Sequence, residues 1–169
     1  MTRVSLSSFL LLGLLAVAGC GDHRLTALGT VQLTTPTATI TISLPTDTRL
    51  DTQAAAGRIT GSCTVSRTPT ATGVRYGAVV DLFTNESTGL RSLTVMQSTD
   101  AGSAGSIAAQ TSAGTLSSGA GCGLVLTEAT DGGDVILDAP ATCALASADG
   151  SQTATILVHL ELHGCTVTQ

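Results

Sequence analysis

The residues with the most chemistry in this chain sit near its C-terminal end, in His159-Leu160-Glu161-Leu162-His163. Side chains alternate between the two faces of a β-strand. On a strand, His159, Glu161 and His163 therefore share one side while Val158, Leu160 and Leu162 point to a core. Imidazole and carboxylate together suit Zn²⁺ or Cu²⁺. Strand rise holds the two histidine α-carbons about 13 Å apart, so only adjacent pairs chelate easily. No second histidine cluster completes a shell, because His23 lies in the N-terminal polar stretch. The plainer reading of these three candidates is a solvated outer face, and no resident metal or other cofactor is expected. Asp131 and Asp134, with Asp138 nearby, offer loose oxygen ligation of Ca²⁺. Here too the plainer reading is a Gly-Gly turn flanked by solvated carboxylates.

Catalytic arrangements are harder to draw. The chain has no lysine, which removes Schiff-base and Ser-Lys chemistry. The Gly-x-Ser-x-Gly elbow is absent, and nothing in the sequence positions a Ser/His/Asp set among so many serines. Gly119-Ala120-Gly121-Cys122-Gly123 lacks the third glycine at the right spacing and the following helix that a dinucleotide site needs. No catalytic residue is assigned, and the expectation is a protein that is not an enzyme.

The N-terminus carries a different kind of chemistry. One positive charge at Arg3, a short apolar run, and small residues before a cut site make up an export signal. The uncharged stretch 4–19 is shorter than the roughly 20 residues that span a bilayer. Ala16-Val17-Ala18 fits an ordinary cleavage site, which would release a soluble protein beginning at Gly19. Val17-Ala18-Gly19-Cys20 resembles the bacterial lipobox, with Val where Leu is commoner. That resemblance covers only about the first 20 residues. It implies cleavage before Cys20, a diacylglyceryl thioether on its sulfur, and usually an acylated amine. With Gly21 after the cysteine and Asp22 one later, it also implies outer-membrane delivery.

Cysteine number separates the two cuts. The five cysteines are Cys20, Cys63, Cys122, Cys143 and Cys165, and an odd thiol in an exported chain invites intermolecular pairing. Lipidation of Cys20 leaves four, enough for two disulfides in an oxidising compartment. Two or three acyl chains anchor stably where one does not.

Composition narrows the partners. Loss of Arg3 with the signal takes the net charge from −5 to −6. Nucleic-acid binding draws most of its affinity from phosphate neutralisation, so a lysine-free acidic chain argues against it. Anionic headgroups are poor partners for the same reason. Beyond the signal the only aromatics are Tyr76 and Phe83, too few for a stacking platform. A core of Val, Ile, Leu, Ala and Thr suits β-structure.

The patterning agrees. Thr39 to Leu44 alternates strictly, and Pro36 splits it from Val31-Gln32-Leu33. Arg58 to Arg67, Gly73 to Phe83 and Leu90 to Gln97 read as further strands. Leu50 to Ala56 has a faint helical character. Ala101 to Gly121, rich in Ser, Gly and Ala, reads as one weak strand and a loose loop. Gly132-Gly133 and Asp149-Gly150 are hairpin turns. Setting Asp131 opposite Asp134 and carrying the register back places Cys122 opposite Cys143. Cys122, Leu124, Leu126, Val135, Leu137 and Cys143 then share one face, although Pro140 interrupts the second strand. Of three possible connectivities this favours Cys122–Cys143 and, by elimination, Cys63–Cys165.

The expected protein is all-β, an antiparallel β-sandwich of immunoglobulin-like outline. A signal occupies residues 1–19, a lipidated tether 20–29, and one domain 30–169. The expected role is a lipid-anchored envelope module that holds or contacts another envelope protein, with the membrane reached through Cys20. The alternative is an envelope lipoprotein that binds a metal or small ligand.

Overall fold

The computed structural model describes residues 24–50, 59–71, 73–84, 89–98, 105–119, 122–128 and 133–168. The expected export signal, Cys20 and residues 51–56 of the expected short helix lie outside them. The described residues are all-β. The strands are β1 (Thr26–Thr34), β2 (Thr39–Arg49), β3 (Thr60–Thr70), β4 (Gly73–Phe83), β5 (Leu90–Ser98) and β6 (Ser106–Thr111). They continue as β7 (Gly114–Ser118), β8 (Val125–Glu128), β9 (Val135–Ala146), β10 (Thr153–His163) and β11 (Thr166–Thr168). Hydrogen bonds join them in the order β11-β3-β4-β5-β6-β7-β9-β10-β1-β2, with β8 also on β9. All pairings are antiparallel except β11 on β3. The strands thus form one curled, largely antiparallel sheet.

Alternation sets what the curl encloses. In β10, Ala154, Ile156, Val158, Leu160 and Leu162 are buried. They meet Val31 and Leu33 of β1, Ile42 and Leu44 of β2, and Val80 and Leu82 of β4 in a single core. Aliphatic side chains fill it, with Tyr76 packed at its edge.

Three elements differ from what the patterning suggests. β1 starts at Thr26, upstream of residue 30: Ala27 is buried and β1 pairs with β10 from Thr26 onward. The expected loose loop holds a hairpin of β6 and β7, whose inward Ile107, Ala109 and Leu116 are buried. Its turn is closed by Thr111, whose Oγ1 accepts from Ala113 N at 3.2 Å and donates to Gly114 O at 3.0 Å. Third, β9 does not stop at Pro140. The proline has no N–H to give the ladder, and Pro140, Ala141 and Thr142 bulge outward opposite Leu157. Strand pairing resumes on both sides, with Ile156 opposite Cys143 and Val158 opposite Ala139.

The β8–β9 ladder is offset by two residues from the turn-based register. Glu128 lies opposite Val135, where the turn-based register put it opposite Leu137. A two-residue offset keeps parity, so Cys122, Leu124, Val135, Leu137 and Cys143 all remain inside. Beyond the bulge, Cys122 does reach Cys143, and the two form a disulfide with Cα atoms 4.5 Å apart.

The open seam of the curl is closed by backbone and by sulfur. After β2 the chain delivers Leu50, fully buried, between the first residues of β1 and β3. Leu50 N donates to Leu25 O at 3.0 Å, and Gly61 N donates to Leu50 O at 3.0 Å. Cys63 of β3 is bonded to Cys165, immediately after β10, across 102 residues of sequence. Loop-closure entropy assigns such a bridge about 4–5 kcal/mol, against about 3 kcal/mol for the shorter Cys122–Cys143 loop.

Gly29 marks the tightest point of the β1–β10 contact. It sits in a β-bulge with φ of +133°, and an added Cβ would overlap the carbonyl oxygen of His159. Gly114 has φ of +142° but open space around the same position. Gly114→Ala is expected to cost about 1–3 kcal/mol from backbone strain alone. Gly29→Ala should cost a further 1–3 kcal/mol or so from overpacking. Urea unfolding of the two variants measures the difference, and equal losses would contradict the placement of β1 against β10.

Candidate functional site

The outward face of β9, β10 and β1 gathers the imidazoles. Because Pro140 bulges, β9 re-enters its ladder with Asp138 opposite His159, and β1 places Thr30 on the other side. His159 Nδ1 lies 2.5 Å from Asp138 Oδ1. A carboxylate only accepts, so the ring donates through Nδ1–H and its Nε2 lone pair is left outward. That Nε2 is 3.8 Å from Glu161 Oε1. His159 and Asp138 are each half exposed, and Glu161 is 34% exposed. Four residues on, His163 Nδ1 pairs with Asp134 Oδ2 at 3.1 Å. Asp134 also accepts from Gly164 N at 3.3 Å through its other oxygen.

The three sequence candidates are thus split. His159 and Glu161 are brought together, whereas His163 belongs to a separate pair one turn of the pleat away. Among the described residues no three His, Cys, Asp or Glu side chains are grouped to hold one metal ion. Asp134 and Asp138 each face an imidazole instead of one another, so the loose Ca²⁺ arrangement is not formed by these two. Asp131 lies outside the described residues. Exposed pairs of this kind contribute about 0–1 kcal/mol each.

A second feature lies at the end of the curl where the β1–β2, β6–β7 and β9–β10 turns meet. They border a cleft of about 580 Å³ lined by Pro36, Ile40, Gly89, Ala113, Leu116 and Gln152, among others, none of them charged. Gln152 Nε2 donates to Ala113 O at 3.3 Å and ties two of these turns together. On the rim, Asp149 accepts from Ser147 Oγ at 2.5 Å, from Ser151 N at 3.1 Å and from Ser151 Oγ at 2.8 Å.

Asp138 as the partner of His159 was within reach of the sequence. It needed only the β9–β10 register extended past Pro140 by two extra residues. The cleft was not, because three turns and Gly89 meet there from distant parts of the chain. No protein-family model, curated protein or solved structure matches this chain.

The Asp149 turn has a definite titration. Hydrogen bonds from Ser147 and then Ser151 stabilise the carboxylate and lower its pKa from 3.8 to about 2. A depressed carboxylate supports the folded turn fully above about pH 4. That support is lost as pH falls through about 2. An NMR titration of the Asp149 carboxyl should give a midpoint near 2, and Ser147→Ala should move it up towards 3.8. A midpoint near 3.8 before the substitution would contradict the turn geometry.

Proposed function

We propose that this chain is a lipid-anchored cell-envelope protein whose curled β-domain is a non-catalytic interaction module, held on the membrane through Cys20. The observation that carries the reading is cysteine pairing. Cys63 pairs with Cys165 and Cys122 with Cys143, so the fifth cysteine of the sequence, Cys20, has no partner left within the chain. A free thiol is hazardous for an exported protein. Thioether lipidation at the lipobox-like Val17-Ala18-Gly19-Cys20 removes it.

The domain begins close to that point. With β1 starting at Thr26, five residues separate it from Cys20, a reach of about 18 Å at full extension. Such a tether holds the domain against the surface, in the outer membrane by the Gly21-Asp22 reading. Exposed apolar side chains support a protein partner. Val79 faces Met96 across β4 and β5, and Phe83 shares their outer face. They are 40%, 47% and 52% exposed. Aromatic and Met side chains on a sheet face are the kind enriched at protein contacts. The second reading, a metal- or small-ligand-binding lipoprotein, is favoured by the His159–Asp138–Glu161 geometry and the uncharged cleft.

Anchoring is tested by fractionating cells of the protein's own host that express wild type or Cys20→Ser. The wild type should sediment with membranes and enter the detergent phase. The variant should be lost from both, since two or more acyl chains hold where none remain. A wild type that stays soluble would refute the anchor, whatever the domain binds.

A further inference from the structure

We propose that His159 and Glu161 form a two-ligand surface site for a divalent zinc-type ion, with Asp138 as its positioning residue. The case starts from the imidazole. Asp138 Oδ1 accepts a hydrogen bond from His159 Nδ1–H at 2.5 Å, so the neutral imidazole carries its lone pair on Nε2. A ligating histidine almost always gives its other ring N–H to a carboxylate or carbonyl, and this orients the ring and raises its basicity. Here that support stands ready on the neighbouring strand.

The second ligand is already beside the first. Nε2 and the Glu161 carboxylate oxygen are 3.8 Å apart. Zinc binds imidazole nitrogen at about 2.0–2.1 Å and carboxylate oxygen at about 2.0–2.2 Å. An ion seated between these atoms therefore spans them with an angle of about 130°. Closing it to tetrahedral needs a side-chain shift of a few tenths of an ångström. With His159 half exposed and Glu161 about a third, the remaining positions face solvent and are open to water. Two carboxylates flank one imidazole, so a dication neutralises charge that the pair alone leaves in excess. The backbone beneath is rigid: β10 pairs along its length with β1 and β9, and Gly29 is locked against the His159 carbonyl.

His163 provides an internal control. It has its own carboxylate, Asp134, at 3.1 Å, but no acidic residue corresponding to Glu161 follows it, since Gly164, Cys165 and Thr166 come next. It has the orienting half of the arrangement without the second ligand.

The test is calorimetric titration of Zn²⁺ into the full-length protein purified in detergent, at neutral pH. One saturable site per chain is expected. His159→Ala and Glu161→Gln should abolish it, and Asp138→Asn should weaken it about 10–100-fold. His163→Ala should leave it unchanged. Melting curves in EDTA, where all four variants should match wild type, separate loss of the site from loss of the fold. Absence of saturable binding in the wild type would overturn the proposal, as would equal binding by His159→Ala or loss of the site in His163→Ala. An Asp138→Asn variant that binds as wild type would remove Asp138 from it.

Discussion

The structure depends on closing a curled sheet around an aliphatic core. One path of ten strands, with β8 added on β9, must bring β3 round to the start of β1 and the end of β10. The core it encloses is aliphatic, mainly leucine, valine and alanine, with no aromatic ring among the buried residues described. Each of these buries less surface than an aromatic ring would. Closure falls to three short-range devices at one seam: Leu50 hydrogen-bonded to both Leu25 and Gly61, the parallel β11–β3 ladder, and the Cys63–Cys165 bridge. The bridge matters most because it spans the longest loop and fixes β3 beside the end of β10. Everything on the outer face of β10, including the His159 pair, inherits its position from that closure.

Much of this was legible from period-two patterning, and the exceptions have physical causes. β4 runs over the residues that alternation marks, and the Asp149-Gly150 turn falls where β9 and β10 reverse. The disulfide pairing follows from register and parity, which survive a two-residue slip. The β6–β7 hairpin was hidden because Ala109 and Thr111 carry too little hydrophobicity to mark a strand, although both are buried. The start of β1 was hidden because Gly29 reads as a break, when it is there to admit the His159 carbonyl. Pro140 reads as a terminator, but a bulge absorbs it and sets Asp138 opposite His159. Residues that look like interruptions in the sequence are the ones that shape the candidate site.

Cysteine usage links fold to address. Two bridges inside the β-domain suit an oxidising compartment, and an export signal is what would bring the chain there. The same bridges leave one cysteine over, at the position where the lipobox resemblance puts the lipid. On the proposed anchoring, only a short stretch would separate Cys20 from the start of β1 at Thr26.

The most direct measurement is the intact mass of the protein extracted by detergent from its own host's membranes, taken with and without reductant. The account predicts a chain beginning at Cys20 that carries diacylglyceryl and gains about four daltons on reduction, as two disulfides require. A lipid-free chain beginning at Gly19, or a mass that halves on reduction as a covalent dimer's would, contradicts it.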